Sequence, residues 1–162
     1  VDLHIGTLSK AVGALGGFAA CSGPVRELLL NVGRPLVFST ALPVPIVRAA
    51  HAAFDVADDE PELLQSLQAN VASVALALGL AGHQTPIVPL VLGGAEATMA
   101  ASSALRRRGY HVTGIRPPTV PTGTSRLRIA LSARHGQLEI EGLVTALRDL
   151  GIAHGGTVPT QT

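Results

Sequence analysis

The sequence holds one cysteine, one methionine, one tyrosine and no tryptophan in 162 residues. Lone Cys21 excludes an intrachain disulfide and a cysteine-built zinc site. Aromatic residues are only 2% of the chain, Phe18, Phe38, Phe54 and Tyr110. Any core must therefore be built from Ala, Val, Leu and Ile. Charged residues are also scarce, at 14%, which is low for an isolated soluble domain. Such a chain is expected to bury much of its surface against something else. The formal net charge of +1 offers no overall field for nucleic acid or an anionic membrane. No uninterrupted apolar run reaches the length of about 18 residues that a membrane-spanning helix needs. No secretory leader is evident, since Val1 is not an initiator Met and Asp2 and His4 interrupt the start. A cytoplasmic location is the expectation, in a chain that begins in mid-domain. Lysine is the scarcest charge: Lys10 stands alone among twelve cationic residues, and the rest are arginine.

Lys10 follows the apolar-alternating run Val1–Ile5, a strand pattern. It sits within Gly6-Thr7-Leu8-Ser9-Lys10-Ala11, ahead of Gly13 and the pair Gly16-Gly17. A lysine at a strand end, among glycines and hydroxyls, is expected to be partly desolvated. Desolvation favours the neutral amine that forms Schiff bases. The hydroxyls of Thr7 and Ser9, with nearby backbone N–H groups, suit a phosphate. Together these features point to pyridoxal 5'-phosphate (PLP). The same residues also suit an ordinary loop lysine, and Gly16-Gly17 an ordinary tight turn.

Further along, Gly17–Cys21 reads as a second strand and Val25–Val32 as a short helix after Gly23-Pro24. Pro35–Ser39 reads as extended. Pro45 suits a first helical turn, with the helix continuing over Ile46–Val56. The acidic run Asp58–Glu62 is expected to open the next helix. That helix is expected to reach Leu80, with Leu63, Leu64, Leu67, Val71, Val74 and Leu78 on one stripe. Gly79 and Gly82 end it. Ile87–Leu92 is strand-like, and Pro89 argues for an edge or a bulge. A helix over Ala95–Arg108 is stopped by Gly109. Tyr110–Ile115 reads as a strand, Arg116–Gly123 as a proline-rich loop and Arg126–Leu131 as a strand. Gly136–Leu150 reads as the last helix. The tail Gly151–Thr162 is expected to be poorly ordered.

Four blocks occur in order: Gly6-Thr7-Leu8-Ser9-Lys10-Ala11, Gly16-Gly17-Phe18, Phe38-Ser39-Thr40-Ala41-Leu42-Pro43, and Ile115-Arg116-Pro117-Pro118-Thr119-Val120-Pro121 continuing to Arg128. In this spacing they resemble the α-oxoamine synthases, PLP enzymes of fold type I. The resemblance covers the chain to about Leu150. It implies an α/β fold: the end of a large PLP-binding domain over residues 1–55, a connecting helix over 56–84, a small C-terminal α/β domain over 85–150, and a flexible tail over 151–162.

The Arg-Pro-Pro-Thr-Val-Pro loop is most similar to the branch that serves biotin synthesis. That branch condenses L-alanine with pimeloyl-CoA, or a pimeloyl carrier-protein thioester, with loss of CO2, giving 8-amino-7-oxononanoate. The sister branches, 5-aminolevulinate synthases, serine palmitoyltransferases and 2-amino-3-ketobutyrate CoA ligases, usually differ in that loop. By the resemblance Lys10 carries the cofactor and moves the proton at the substrate α-carbon. Thr7 and Ser9 contact the cofactor phosphate. Ser39 and Thr40 reach the phosphate of a neighbouring subunit, so a homodimer is implied. Thr119, Arg116 and Arg128 contact substrate, the arginines through a carboxylate. Upstream of its lysine the family also carries an aspartate at the pyridine nitrogen, two histidines at the ring and a glycine-rich phosphate loop. Asp2 and His4 lie too close to Lys10 to fill those roles. The resemblance therefore implies the C-terminal portion of a longer enzyme, inactive by itself.

Other readings stay open. The chain could serve a sister reaction, or only dimerise or bind a partner. His4, His51, His83, His111, His135 and His154 lack paired metal spacing and read as surface or loop residues. Cys21 reads as a small buried hydrophobe. Arg106-Arg107-Arg108 reads as a solvated helix end. Alternation cannot separate Arg126 from Arg128, because residues two apart share a strand face.

Overall fold

The computed structural model describes residues 1–80 and 82–152. The chain divides into two compact units, Val1–Pro61 and a second that starts at Glu62.

In the first unit, strands β1 (Leu3–Thr7) and β2 (Gly17–Cys21) pair antiparallel, with Gly6 opposite Phe18 and Thr7 opposite Gly17. Gly6 is required by its partner, since a Cβ there would strike the Phe18 ring. That ring meets Phe54 edge-on, with centroids 6.1 Å apart. Phe54 belongs to helix α3 (Val44–Asp59), which thereby lies against the hairpin. Helix α1 (Gly23–Val32) carries Pro24 in its first turn, where the missing N–H costs nothing. Cys21 is half-buried, short of the full burial that its apolar strand suggests.

Two local expectations fail here. Residues 34–37 are not extended but form a single helical turn, α2 (Arg34–Val37). The Gly33 carbonyl accepts from the N–H groups of both Leu36 and Val37, and Pro35 presets a helical φ. Asp58 and Asp59 end α3 instead of opening the next helix. The chain breaks at Glu60 (φ −119°, ψ 66°), and α4 (Pro61–Ala77) starts on the following proline with only Glu62 acidic in its first turn.

The second unit is a three-stranded antiparallel sheet in the order β3-β5-β4, made of β3 (Ile87–Gly93), β5 (Ser125–Ala130) and β4 (Thr113–Ile115). One face, Val88, Leu90, Leu127 and Ile129, is buried. It shares one core with Val71, Val74 and Leu78 of and just after α4, Ala101 and Leu105 of α5 (Ala95–Arg107), and Ile140, Leu143, Val144 and Leu147 of α6 (Gln137–Asp149). The helix expected to connect two domains thus contributes to the core of the second unit. Leu63 and Leu64, placed on its buried stripe by spacing, are exposed. The helix stops at Ala77, short of Leu80, and Gly79 then takes a φ of +69°.

Pro89 lies on an edge strand of this sheet, and a register irregularity follows between Val91 and Gly93. Strand β4 is shorter than its apolar run. The Tyr110 N–H turns back to the Leu105 carbonyl and the Val112 N–H to the Tyr110 carbonyl, which removes residues 110–112 from the ladder. Of the tail, Gly151 and Ile152 are described. The Ile152 N–H donates to the Leu147 carbonyl and its side chain packs on the core. Residues 153–162, His154 included, lie outside the described residues. Among the described residues no helix is long and apolar enough to cross a membrane, and no three His, Cys, Asp or Glu gather to hold a metal.

Candidate active-site residues

Thr7, Ser9 and Lys10 are brought together by the connection between β1 and β2. Leu8 anchors it: its N–H donates to the Gly16 carbonyl at 2.9 Å, and its carbonyl accepts from the Ala14 N–H at 2.8 Å. The Leu8 side chain is buried, while Thr7, Ser9 and Lys10 on either side of it are exposed. A tight turn closes from the Gly13 N–H to the Lys10 carbonyl at 3.0 Å, with Gly13 at φ +68°. Only glycine takes that backbone conformation without strain. The hydroxyls of Thr7 and Ser9 lie 2.8 Å apart, and the Ser9 N–H donates to Thr7 Oγ1 at 3.2 Å. Two hydroxyls, a turn rich in N–H groups and the sole lysine therefore share one short loop. The expected desolvation of Lys10 is not met, because the side chain is exposed.

Ser39 and Thr40 lie in the link from α2 to α3, both exposed. Among the described residues no hydrogen bond joins them to the lysine turn. Their segment is nonetheless seated beside it, since a Cβ on Gly16 (φ +99°) would lie 2.6 Å from Leu42 Cδ1.

The second unit holds the remaining candidates. On β5 the inward residues Leu127 and Ile129 alternate with Arg126, Arg128 and Ala130 on the open face. The structure separates the two arginines. Arg126 is half-buried and its Nε donates to the Thr124 carbonyl at 3.0 Å. Arg128 is exposed, between Pro89 of β3 and Thr113 of β4 in the ladder. A guanidinium with no hydrogen-bond partner among the described residues, on an open sheet face, suits a planar carboxylate. Arg116 and Thr119 are exposed on the loop that follows β4, where the Thr119 N–H donates to the Arg116 carbonyl at 3.1 Å.

Two tethers escaped the sequence reading. Thr124 Oγ1 donates to the Pro121 carbonyl at 2.8 Å. Asn70 Nδ2 of α4 donates to the carbonyls of Ser132 (3.0 Å) and His135 (2.9 Å), holding the turn between β5 and α6. His135 Nδ1 accepts from the Ser132 N–H in the same turn, a structural use of that ring. A threonine after Gly123 was the one available signal for the first tether, since threonine hydroxyls often bond backbone in turns. Nothing local signals the second. Arg106, Arg107 and Arg108 are exposed at the end of α5, and Arg108 pairs with Asp149 at 2.9 Å.

Known proteins share both the sequence and this architecture. An 8-amino-7-oxononanoate synthase of Anaeromyxobacter dehalogenans is 47% identical over 155 residues, covering 93% of this chain and 39% of the relative. One from Methylocella silvestris is 43% identical over 150 residues, covering 93% and 43%. A solved structure of SPT with PLP internal aldimine superposes with a TM-score of 0.83 at 28% identity, covering 94% of this chain and 41% of that one. The chain thus spans about two fifths of the length of the relatives it matches. The fold is that of the PLP-dependent fold type I transferases, of which this chain carries a portion. Residues 1–147, which include the lysine turn and the arginine strand, match the family described as aminotransferase class I and II, and the chain belongs to that family.

Proposed function

We propose that the chain forms the lysine-bearing part of a PLP-dependent α-oxoamine synthase. The reaction proposed is the condensation of L-alanine with pimeloyl-CoA, or a pimeloyl carrier-protein thioester, to give 8-amino-7-oxononanoate for biotin synthesis. The observation that carries the reading is the β1–β2 turn, where paired hydroxyls stand next to the only lysine. This donor set fits the cofactor: an exposed primary amine for its aldehyde, and hydroxyl and N–H donors for its phosphate. When bound, PLP supplies the electron sink for chemistry at the amino-acid α-carbon. Lys10 Nζ would hold the cofactor through its amine, and the same amine would take and return a proton at that carbon. Thr7 and Ser9 donate to phosphate oxygens. Ser39 and Thr40 do the same for a neighbouring subunit, which makes the working unit a homodimer. Arg128 orients the amino acid through its carboxylate, and Arg116 and Thr119 hold substrate from their loop.

The names of the curated relatives favour the pimeloyl branch, and the structural likeness to SPT keeps a sister branch as the second reading. The test uses the full protein. Borohydride reduction should leave a lysine-linked cofactor adduct on the peptide that contains Lys10, and Lys10→Ala should abolish it. An adduct that persists in Lys10→Ala places the attachment elsewhere and ends this reading. CO2 release with L-alanine and pimeloyl-CoA, against L-serine and palmitoyl-CoA, then separates the branches.

A further inference from the structure

We propose that Thr124 and Arg126 are positioning residues that hold the loop carrying Arg116 and Thr119 in its binding shape. The inference rests on the reading of those two residues as substrate contacts.

The loop between β4 and β5 contains Pro117, Pro118 and Pro121, three residues without an N–H donor. Few backbone hydrogen bonds remain to shape it. One turn closes from the Thr119 N–H to the Arg116 carbonyl at 3.1 Å. The second closes from the Thr124 N–H to the Pro121 carbonyl, also at 3.1 Å. The Thr124 hydroxyl donates to that same carbonyl at 2.8 Å, so one residue supplies both donors to this turn. Thr124 is in turn held from the sheet, because its carbonyl accepts from Arg126 Nε at 3.0 Å. A bond donated by a guanidinium is stronger than a neutral one.

Arg126 stands opposite Ile115, the residue immediately before Arg116. Both ends of the loop therefore meet at one cross-strand pair. On the other side the turn rests on the corner between β3 and α5, where a Cβ at Gly93 would lie 3.5 Å from the Gly123 carbonyl oxygen. A loop tied at its base and stiffened by prolines loses little entropy when it closes on a ligand. The two neighbouring arginines thus divide the work: Arg128 faces outward for a carboxylate, while Arg126 turns its Nε to the loop.

The test compares Thr124→Val, Thr124→Ser, Arg126→Lys and Thr119→Ala in the full protein, with L-alanine and pimeloyl-CoA as substrates. Valine removes the hydroxyl at nearly constant shape, and serine keeps it. Lysine keeps the charge but not the Nε–H donor. Thr124→Val should raise the KM that Thr119→Ala also raises, by about three- to ten-fold, the equivalent of one hydrogen bond. The kcat and the bound-cofactor absorbance should stay near wild type, and Thr124→Ser should stay within about two-fold in KM. Arg126→Lys should repeat the KM effect, and it carries the test if the valine variant does not fold. Unchanged KM in Thr124→Val and Arg126→Lys beside a raised KM in Thr119→Ala overturns the positioning role alone. Unchanged KM in Thr119→Ala removes the loop from the site, and both readings of it fall.

Discussion

At the scale of single residues, the arginines of β5 show how identical side chains acquire different surroundings. Arg126 and Arg128 are two apart on one face, yet among the described residues only Arg126 has a carbonyl within reach of its Nε. Arg128 remains exposed, as does the helix-end Arg106. A charge-assisted hydrogen bond to a ligand contributes about 1.5–3 kcal/mol. In the full protein, Arg128→Ala should therefore weaken L-alanine binding by roughly ten- to a hundred-fold with PLP retained. Arg128→Lys should recover part of this, since a point charge lacks the planar fork. Arg106→Ala should change little. The measurement is an L-alanine titration followed by cofactor absorbance. Unchanged affinity in Arg128→Ala, or a large loss in Arg106→Ala, would reverse the assignment of the two positions.

At the scale of elements, α6 shows a conflict between propensity and packing. Gly142 lies inside this helix, where glycine costs up to about 1 kcal/mol relative to alanine. A Cβ at that position would strike the Tyr110 hydroxyl, with the ring carbon behind it at 3.3 Å. Tyr110 is partly buried and packs against the core of the second unit, so displacing its ring disturbs that packing. Gly142→Ala should therefore destabilise the protein, in the range of about 1–3 kcal/mol typical of overpacking. In a Tyr110→Phe background the obstructing oxygen is gone, and the same change should become neutral or stabilising. Urea denaturation of the two single variants and the double variant closes this cycle. Additive effects would show that the hydroxyl is not the obstacle.

At the scale of the whole molecule, the two units differ in what they bury. The second has a continuous apolar core that runs through α4, the sheet, α5 and α6. In the first, Leu8 and Ala50 are the buried hydrophobic residues among those described, while Ile5, Phe38 and Val44 are each more than 70% exposed. Exposed apolar surface on this scale marks an interaction surface or an aggregation hazard. The order of local stability follows from the burial. In hydrogen exchange on this chain, amides of β5 and α6 should be the slowest. Those of β1 and β2 should exchange far faster, although β1 and β2 are hydrogen bonded to each other as β5 is to its neighbours. Equal protection in the two hairpin strands and in β5 would contradict this ordering.

What the sequence determined by itself is local chemistry and local punctuation. The sole lysine beside Thr7 and Ser9, the strand Gly17–Cys21, the stop at Gly109 and the proline loop were all legible. Each depends on a few adjacent residues: alternation, a positive φ that glycine permits, or a missing proline N–H. Family membership was legible as well, because four such blocks recur in a fixed order. The tertiary structure decided whatever depends on a partner distant along the chain or on how a backbone group is satisfied. The turn at Arg34–Val37 forms because one carbonyl collects two N–H donors. Tyr110 leaves the strand because its N–H finds Leu105 at the end of α5. Leu64 and Val74 are both apolar residues of one helix, and only packing exposes the first and buries the second. The division between Arg126 and Arg128 has the same origin. Alternation assigns a side chain to a face, but a hydrogen bond is decided by which carbonyl the folded loop brings within about 3 Å.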